Sequence, residues 1–202
     1  MTDAPQAAVF LDRDGVLNDP VPDPVDGRAE SPLRAADVAL APGAVAGLAA
    51  LIDTGLPLVV VSNQPAAAKG KVADENLLAV HDRVVALLAA EGLEIADWRY
   101  CFDHPRALDV ARRDCACRKP RPGLLTAAAA DHGLDLGASW IIGDTDADVG
   151  AARAVGATAV LVEHPDTAHR RSPDLVADAV VPDLAAAAAW VAARVDRHVA
   201  LR

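Results

Sequence analysis

Aromatic side chains are scarce: Phe, Trp and Tyr make up 3% of the 202 residues. A groove that stacks single-stranded bases is therefore not expected. Basic charge is also short, since 19 Lys and Arg stand against 29 Asp and Glu for a net charge of −10. Such a field repels phosphodiester backbones and anionic bilayers, so neither nucleic acid nor membrane is an expected partner. Only three cysteines occur, all between Cys101 and Cys117. An odd, clustered set does not read as a secreted disulfide framework, and a reducing cytoplasm is the expected compartment. No apolar run approaches the ~18 residues of a membrane span; the longest, residues 184–193, is mostly alanine. The first apolar stretch stops at Asp12 with no basic segment before it, unlike a secretory signal.

What is present is foldable: hydrophobic residues are 52% and charged residues 24%, outside the range of disordered chains. The length predicts one domain spanning residues 1–202, most simply a monomer. Strand-length apolar runs at 7–11, 56–62, 95–100, 140–143 and 158–162 alternate with helical spacing at 43–53, 73–91, 123–132, 146–155 and 183–197, with Val180-Val181 as a short further strand. That alternation predicts an α/β fold of βα units on a parallel sheet. Residues 18–42, with five prolines, and 101–122, which hold every cysteine, break the pattern. Loops this long inside a compact domain tend to be functional.

Acidic residues follow the strands. Val9-Phe10-Leu11 runs into Asp12-Arg13-Asp14-Gly15, and Trp140-Ile141-Ile142-Gly143 into Asp144, with Asp146 and Asp148 behind it. The carboxyl edge of an open parallel sheet is where ligands bind. Carboxylates gathered there call for a cation, and an all-oxygen set suits Mg²⁺. Taken singly, each Asp also fits a turn or a helix cap, and Ser62-Asn63-Gln64 after the second strand also fits a helix start. Arg118-Lys119-Pro120-Arg121 places three cations before a helix, which suits a shared anion such as phosphate or, equally, a solvated turn.

Together these segments resemble, in order, the four motifs of the haloacid dehalogenase superfamily of phosphohydrolases: Phe10 to Asn18, Val61 to Gln64, Arg118 to Gly123, and Ile142 to Asp148. Within it they are most similar to the heptose-bisphosphate and histidinol phosphatase branch. The resemblance implies a Rossmann-like sheet with helices on both faces, little or no cap, and small substrates reaching an open site. It implies Asp12 as nucleophile, Asp14 as acid and base, Ser62 on a phosphoryl oxygen and Lys119 as a charge holder. Mg²⁺ would be held by Asp12 and Asp144 carboxylates and the Asp14 carbonyl, with Asp148 in reach and Asp146 only a cap.

Cys101-x2-His104 and, ten residues on, Cys115-x-Cys117 make a reasonable closed zinc site stapling the second long loop. Three buried, reduced cysteines are the alternative. The related phosphatases carry Cys-x-His-His-Pro here, and Asp103 stands where their ligand histidine would be. Either Asp103 coordinates or His104 turns inward; His104 is the expected ligand.

Arg118, Lys119 and Arg121, helped by Lys69 or Arg34, would bind a second phosphate, favouring a sugar bisphosphate; Asn63 and Gln64 join them as expected substrate contacts. A histidinol-phosphate enzyme is the second reading, with Asp23, Asp26 and Glu30 to receive an ammonium group. A non-catalytic binding protein on the same fold is a third, and an end-phosphatase of polynucleotides runs against the net charge.

Overall fold

Asp12 leaves a strand that is buried along its whole length. β1 (Val9–Leu11) pairs in parallel with β4 (Leu58–Asn63) on one side and β6 (Trp140–Gly143) on the other. Its alternating side chains enter two cores. Val9 and Leu11 pack with residues of α1 (Ala44–Asp53), α2 (Asp74–Ala90) and α5 (Leu184–Ala200). Phe10 packs on the opposite face with α3 (Gly123–His132) and α4 (Asp146–Val155). Cover on both faces is why the strand is apolar at every position rather than at alternate ones.

The computed structural model describes residues 5–23 and 27–200. β5 (Asp97–Cys101), β7 (Thr158–Val162) and β8 (Ala179–Val181) complete a parallel sheet of order β5-β4-β1-β6-β7-β8. The chain fills one side of β1 first, through β4 and β5, and then crosses to β6 on the other. This reversal of strand order opens a crevice at the carboxyl ends of β1, β4 and β6. Asp12, Ser62 and Asp144 sit at that edge.

The expected α/β fold, a parallel sheet with helices on both faces, is the observed one. Element ends shift locally. The strand expected at 95–100 begins at Asp97 and runs on to Cys101, which pairs with Asn63. The last helix starts at Leu184, and Asp183 acts as its cap by accepting a 2.8 Å hydrogen bond from Ala186 N–H. Val180 and Val181 do form an edge strand. The segment 18–42 is not an open loop: β2 (Val21–Pro22) and β3 (Ala29–Glu30) pair antiparallel within it. Two-residue strands, one ending in proline, carry no readable alternation. Lys71 anchors this hairpin at 2.6 Å from Asp23 Oδ2, and Arg170 donates to the Ala29 carbonyl. No helix among the described residues is long and apolar enough to cross a membrane.

Candidate active site

Lys119 is the hub of the crevice. Buried at 2% exposure, its ammonium lies 2.6 Å from Asp148 Oδ1, 3.1 Å from Asp12 Oδ2 and 2.7 Å from the Val61 carbonyl. Burial alone would lower its pKa; the two carboxylates outweigh that and raise it. Asn63 fixes its backbone, donating to the Lys119 carbonyl and accepting from its N–H, both at 3.1 Å. Asn63 lines the crevice and clamps the lysine from β4.

Asp12, Asp144 and Asp148 bring carboxylate oxygens within 4.8 Å of one another. Burial and neighbouring negative charge raise Asp12 to about 6, against the pull of Lys119. Burial, then Asp148 and Asp12, push Asp144 up to about 8. Asp144 is 1% exposed, and its Oδ2 has no hydrogen-bond partner. A buried carboxylate oxygen left unpaired beside two further carboxylates fits a hard divalent cation. Two glycines make room for this cluster. A Cβ on Gly15, whose φ is +81°, would lie 2.3 Å from Asp144 Oδ2, and one on Gly143 would lie 2.1 Å from the Asp148 carboxyl carbon. Asp148 itself is engaged at both oxygens, since Oδ2 accepts from Thr145 N–H at 3.1 Å and Oγ1 at 2.7 Å. Thr145 is the cap of α4; Asp146, expected in that role, is the helix's first residue because Thr145 already supplies the capping oxygen.

Asp14 is surrounded by donors. Its Oδ1 accepts from Arg13 Nη2 and Asn18 Nδ2, both at 2.9 Å, and Oδ2 from Ser31 Oγ at 2.7 Å and Gln64 Nε2 at 2.6 Å. Burial favours its neutral form, but Arg13 and then these hydrogen bonds prevail and hold its pKa below the ordinary value. The carboxylate is thereby kept in its proton-accepting state. Gln64 requires a correction: at 1% exposure, spanning Asp14 and the 3.1 Å contact to Ser62 Oγ, it faces inward and not toward a ligand. Its amide nitrogen is spent on those two acceptors, which holds the side chain behind them.

The crevice encloses about 340 Å³. Lys69 and Arg118 line it as expected, joined by Arg106 and Arg170. Arg34 and Arg121 do not take part: each is exposed and ion-paired, with Asp37 and Asp114 respectively. Of the acids expected to meet an ammonium group, Glu30 lines the crevice, Asp23 is held by Lys71, and Asp26 lies outside the described residues.

The cysteine loop also departs from expectation at one ligand. Cys101, Cys115, Cys117 and Asp103 offer metal-binding atoms within 4.8 Å of one another, and His104 is not among them. His104 lines the crevice instead. Its Nδ1 accepts from Arg106 N–H at 2.9 Å. Burial, with Lys69, Arg118 and Arg106 nearby, pushes its pKa down to about 4. Asp103 reaches the sulfurs from two residues past Cys101 while Arg112 holds its Oδ1 at 3.2 Å. Cys101 and Cys117 are joined as a disulfide, and Cys115 Sγ lies 3.1 Å from Cys117 Sγ. With Cys101 and Cys117 reduced, three thiolates and a carboxylate fit the donor set of a closed zinc site, so the reduced cluster could staple the loop with metal.

Comparison with known proteins agrees with this geometry. The family profile described as HAD-hydrolase-like matches residues 116–187. The D-glycero-D-manno-heptose-1,7-bisphosphate 7-phosphatase of Thermosynechococcus vestitus is 36% identical over 200 residues, covering 93% of this chain and 96% of that one. The chain belongs to the haloacid dehalogenase-like phosphatases. The Pseudomonas putida heptose-bisphosphate phosphatase of this family is 37% identical over 155 residues, 77% of this chain and 81% of that protein. The crystal structure of the D,D-heptose 1,7-bisphosphate phosphatase from B. bronchiseptica, complexed with magnesium and phosphate, superposes with a TM-score of 0.76 at 28% identity, covering 94% of this chain and 99% of that chain.

Within this family frame, sequence reasoning passed over four residues. Arg13 sits in plain view between two carboxylates, and a charged residue there was the available signal for a buried ion pair. Ser31 and Arg106 come from loops and Arg170 from the end of a 3₁₀ helix, Pro165–Arg170, and their convergence has no sequence signal.

Proposed function

We propose that this phosphatase is a single-domain, Mg²⁺-dependent hydrolase of a sugar bisphosphate, D-glycero-D-manno-heptose 1,7-bisphosphate being the substrate its relatives' names point to. The observation that carries the reading is the unpaired, buried Asp144 oxygen beside Asp12 and Lys119, at the foot of a crevice walled by cations. Asp12 and Asp144 would hold the ion, with the Asp14 carbonyl, and Asp148 behind them would fix Lys119. Bound there, Mg²⁺ supplies Lewis-acid neutralisation of phosphoryl charge.

Asp12 is the nucleophile. Its Oδ1 is oriented by Arg13 N–H at 2.7 Å and its Oδ2 by Lys119. One oxygen forms a bond to phosphorus as the sugar–oxygen bond to phosphorus breaks, leaving an aspartyl phosphate. In its protonated form, which the resting hydrogen-bond shell disfavours, Asp14 hands a proton to the departing oxygen; left ionised, it then takes one from the water that cleaves the acyl phosphate, which restores the protonated form for the next turnover. Its hydrogen-bond shell favours the ionised form that the second half needs. Ser62 and Lys119 hold the phosphoryl oxygens, so positioning and charge carry most of the rate.

Histidinol phosphate is the competing substrate, and Glu30 favours it; the crevice's surplus of cations opposes it. The assay is phosphate release with added Mg²⁺, comparing kcat/KM for the two substrates. Higher kcat/KM for heptose bisphosphate, and at least a roughly 10⁴-fold loss in Asp12→Ala, are expected. Near-normal turnover by Asp12→Ala would defeat the assignment. We also propose that, with the Cys101–Cys117 bond reduced, zinc held by the thiolates of Cys101, Cys115 and Cys117 and by Asp103 is the staple of the second loop.

A further inference from the structure

Aromatic residues are few in this chain, yet Trp98 and its single tyrosine, Tyr100, stand two apart on β5. Residues so spaced share one face of a strand. His81 of α2 meets that face edge-on, its ring centroid 5.1 Å from that of Trp98 at 76° and 5.5 Å from that of Tyr100 at 79°. The register of the sheet puts Tyr100 beside Ser62, one strand away from the crevice. On this side it meets Arg13, whose guanidinium carbon lies 5.8 Å from the phenol's ring centroid. Neither His81 nor Tyr100 belongs to the four motifs, and neither lines the crevice.

His81 Nδ1 and the Tyr100 hydroxyl are 2.8 Å apart. Burial pushes the phenol up to about 12, against the charge of Arg13 and its hydrogen bond to the hydroxyl, so the phenol keeps its proton. Burial also lowers the pKa of His81; Asp82 opposes this and Arg13 adds to it. A neutral imidazole fixes the direction of the bond: the O–H donates to Nδ1, which leaves the oxygen lone pairs for the guanidinium. Arg13, 1% exposed, grips Asp14 in turn, with Nε at 3.1 Å and Nη2 at 2.9 Å from Oδ1, and Nη2 at 3.1 Å from Oδ2. A relay of His81, Tyr100, Arg13 and Asp14 thus runs from α2 past β5 to the site.

Resting on the reading of Asp14 as acid and base, we propose that Tyr100 and His81 are positioning residues: the hydroxyl, aimed by His81, fixes the Arg13 fork and through it the carboxyl that must meet the departing oxygen. A guanidinium is planar and rigid, so a partner that fixes one part of it orients the rest. Asn18, Ser31 and Gln64 also hold Asp14. Loss of the relay therefore misaligns the carboxyl without freeing it, and an effect of about tenfold is expected, below the roughly 10²–10⁴ that a general acid contributes.

The test compares two leaving groups. The alkyl ester that the enzyme prefers, heptose 1,7-bisphosphate or histidinol phosphate, expels an alkoxide that needs a proton; p-nitrophenyl phosphate expels a stabilised phenolate that does not. Because kcat/KM reports on the steps up to departure of that group, it is measured for both esters with added Mg²⁺, beside thermal melts. Tyr100→Phe keeps the ring, and is expected to lower kcat/KM for the alkyl ester about tenfold, through kcat, and for the aryl ester by less than about twofold. His81→Leu should match it, and His81→Asn, whose amide oxygen can stand in for Nδ1, should keep most of the rate. The double variant Tyr100→Phe/His81→Leu should lose no more than either alone, as expected of residues acting in series. Equal losses on the two esters, or no loss in either single variant, overturn the positioning role and leave the aromatic cluster as packing. Asp14→Asn distinguishes that failure from a failure of the mechanism beneath it: it should lose far more on the alkyl than on the aryl ester, and without that preference the acid role of Asp14 falls and the relay with it.

Discussion

Asn63 shows how a residue with a plausible ligand-binding side chain serves another purpose. Both ends of its amide are spent on the Lys119 backbone, so Asn63→Ala frees the segment that presents the lysine. Steady-state kinetics should show kcat reduced about tenfold or more with KM changed less, and thermal melts a stability loss of about 1–2 kcal/mol. Gly15 matters for what it lacks. At φ +81° and with Asp144 Oδ2 at 2.3 Å from where a Cβ would stand, Gly15→Ala must displace the orphaned oxygen. The expected result is a Mg²⁺ activation constant raised about tenfold, together with about 1–3 kcal/mol of destabilisation. Tight Mg²⁺ activation in that variant would mean Asp144 does not hold the ion. Asp12, Asp14, Ser62, Lys119 and Asp144 were legible because each lies in the last residues of a strand, just past one, or before a helix. Gln64 and His104 were misassigned because residue type and spacing do not reveal which way a side chain turns.

The elements that carry the site differ in how they are secured. α4 starts with a capping box in which Thr145 and Asp148 satisfy each other, so one carboxylate both ends a strand–helix turn and anchors Lys119. The second long loop has little regular structure, a 3₁₀ turn at Val110–Arg112, and depends on its cysteine cluster. Elemental analysis of protein purified without chelator should find about one zinc per chain. Cys115→Ser and Asp103→Ala should lose it and melt at lower temperature, whereas His104→Ala should keep it. Zinc absent and one free thiol per chain would instead identify the Cys101–Cys117 disulfide as the staple. The hairpin of β2 and β3 escaped the sequence because its register is enforced from outside, by Lys71 and Arg170, and not by its own alternation.

Across the whole molecule, acidic groups at the sheet edge link stability to pH. In metal-free protein the folded pKa of Asp12 is raised to about 6 and that of Asp144 to about 8 from a common starting value of 3.8. The folded state then binds more protons than the unfolded state between these limits, so this stabilisation is full below about pH 4 and fades as pH climbs toward 8. Mg²⁺ favours the ionised carboxylates and should reverse the trend. Calorimetry is expected to show a larger Mg²⁺-induced rise in Tm at pH 8 than at pH 5; equal rises at both would argue that these carboxylates do not form the cation site.

The chain alone determined the parallel α/β sheet, since strand-length apolar runs alternating with helical ones have few other ways to bury both faces. It also determined the order of the four chemical segments, whose residue types are set by local turns at strand ends. Tertiary structure decided everything that needs distant segments to converge: Asn63 on Lys119, Ser31 on Asp14, Asp103 among the sulfurs, and Arg106 and Arg170 in the lining of one crevice. Those contacts depend on side-chain direction and loop path, which are fixed by packing and charge pairing between elements and leave no periodic trace along the chain.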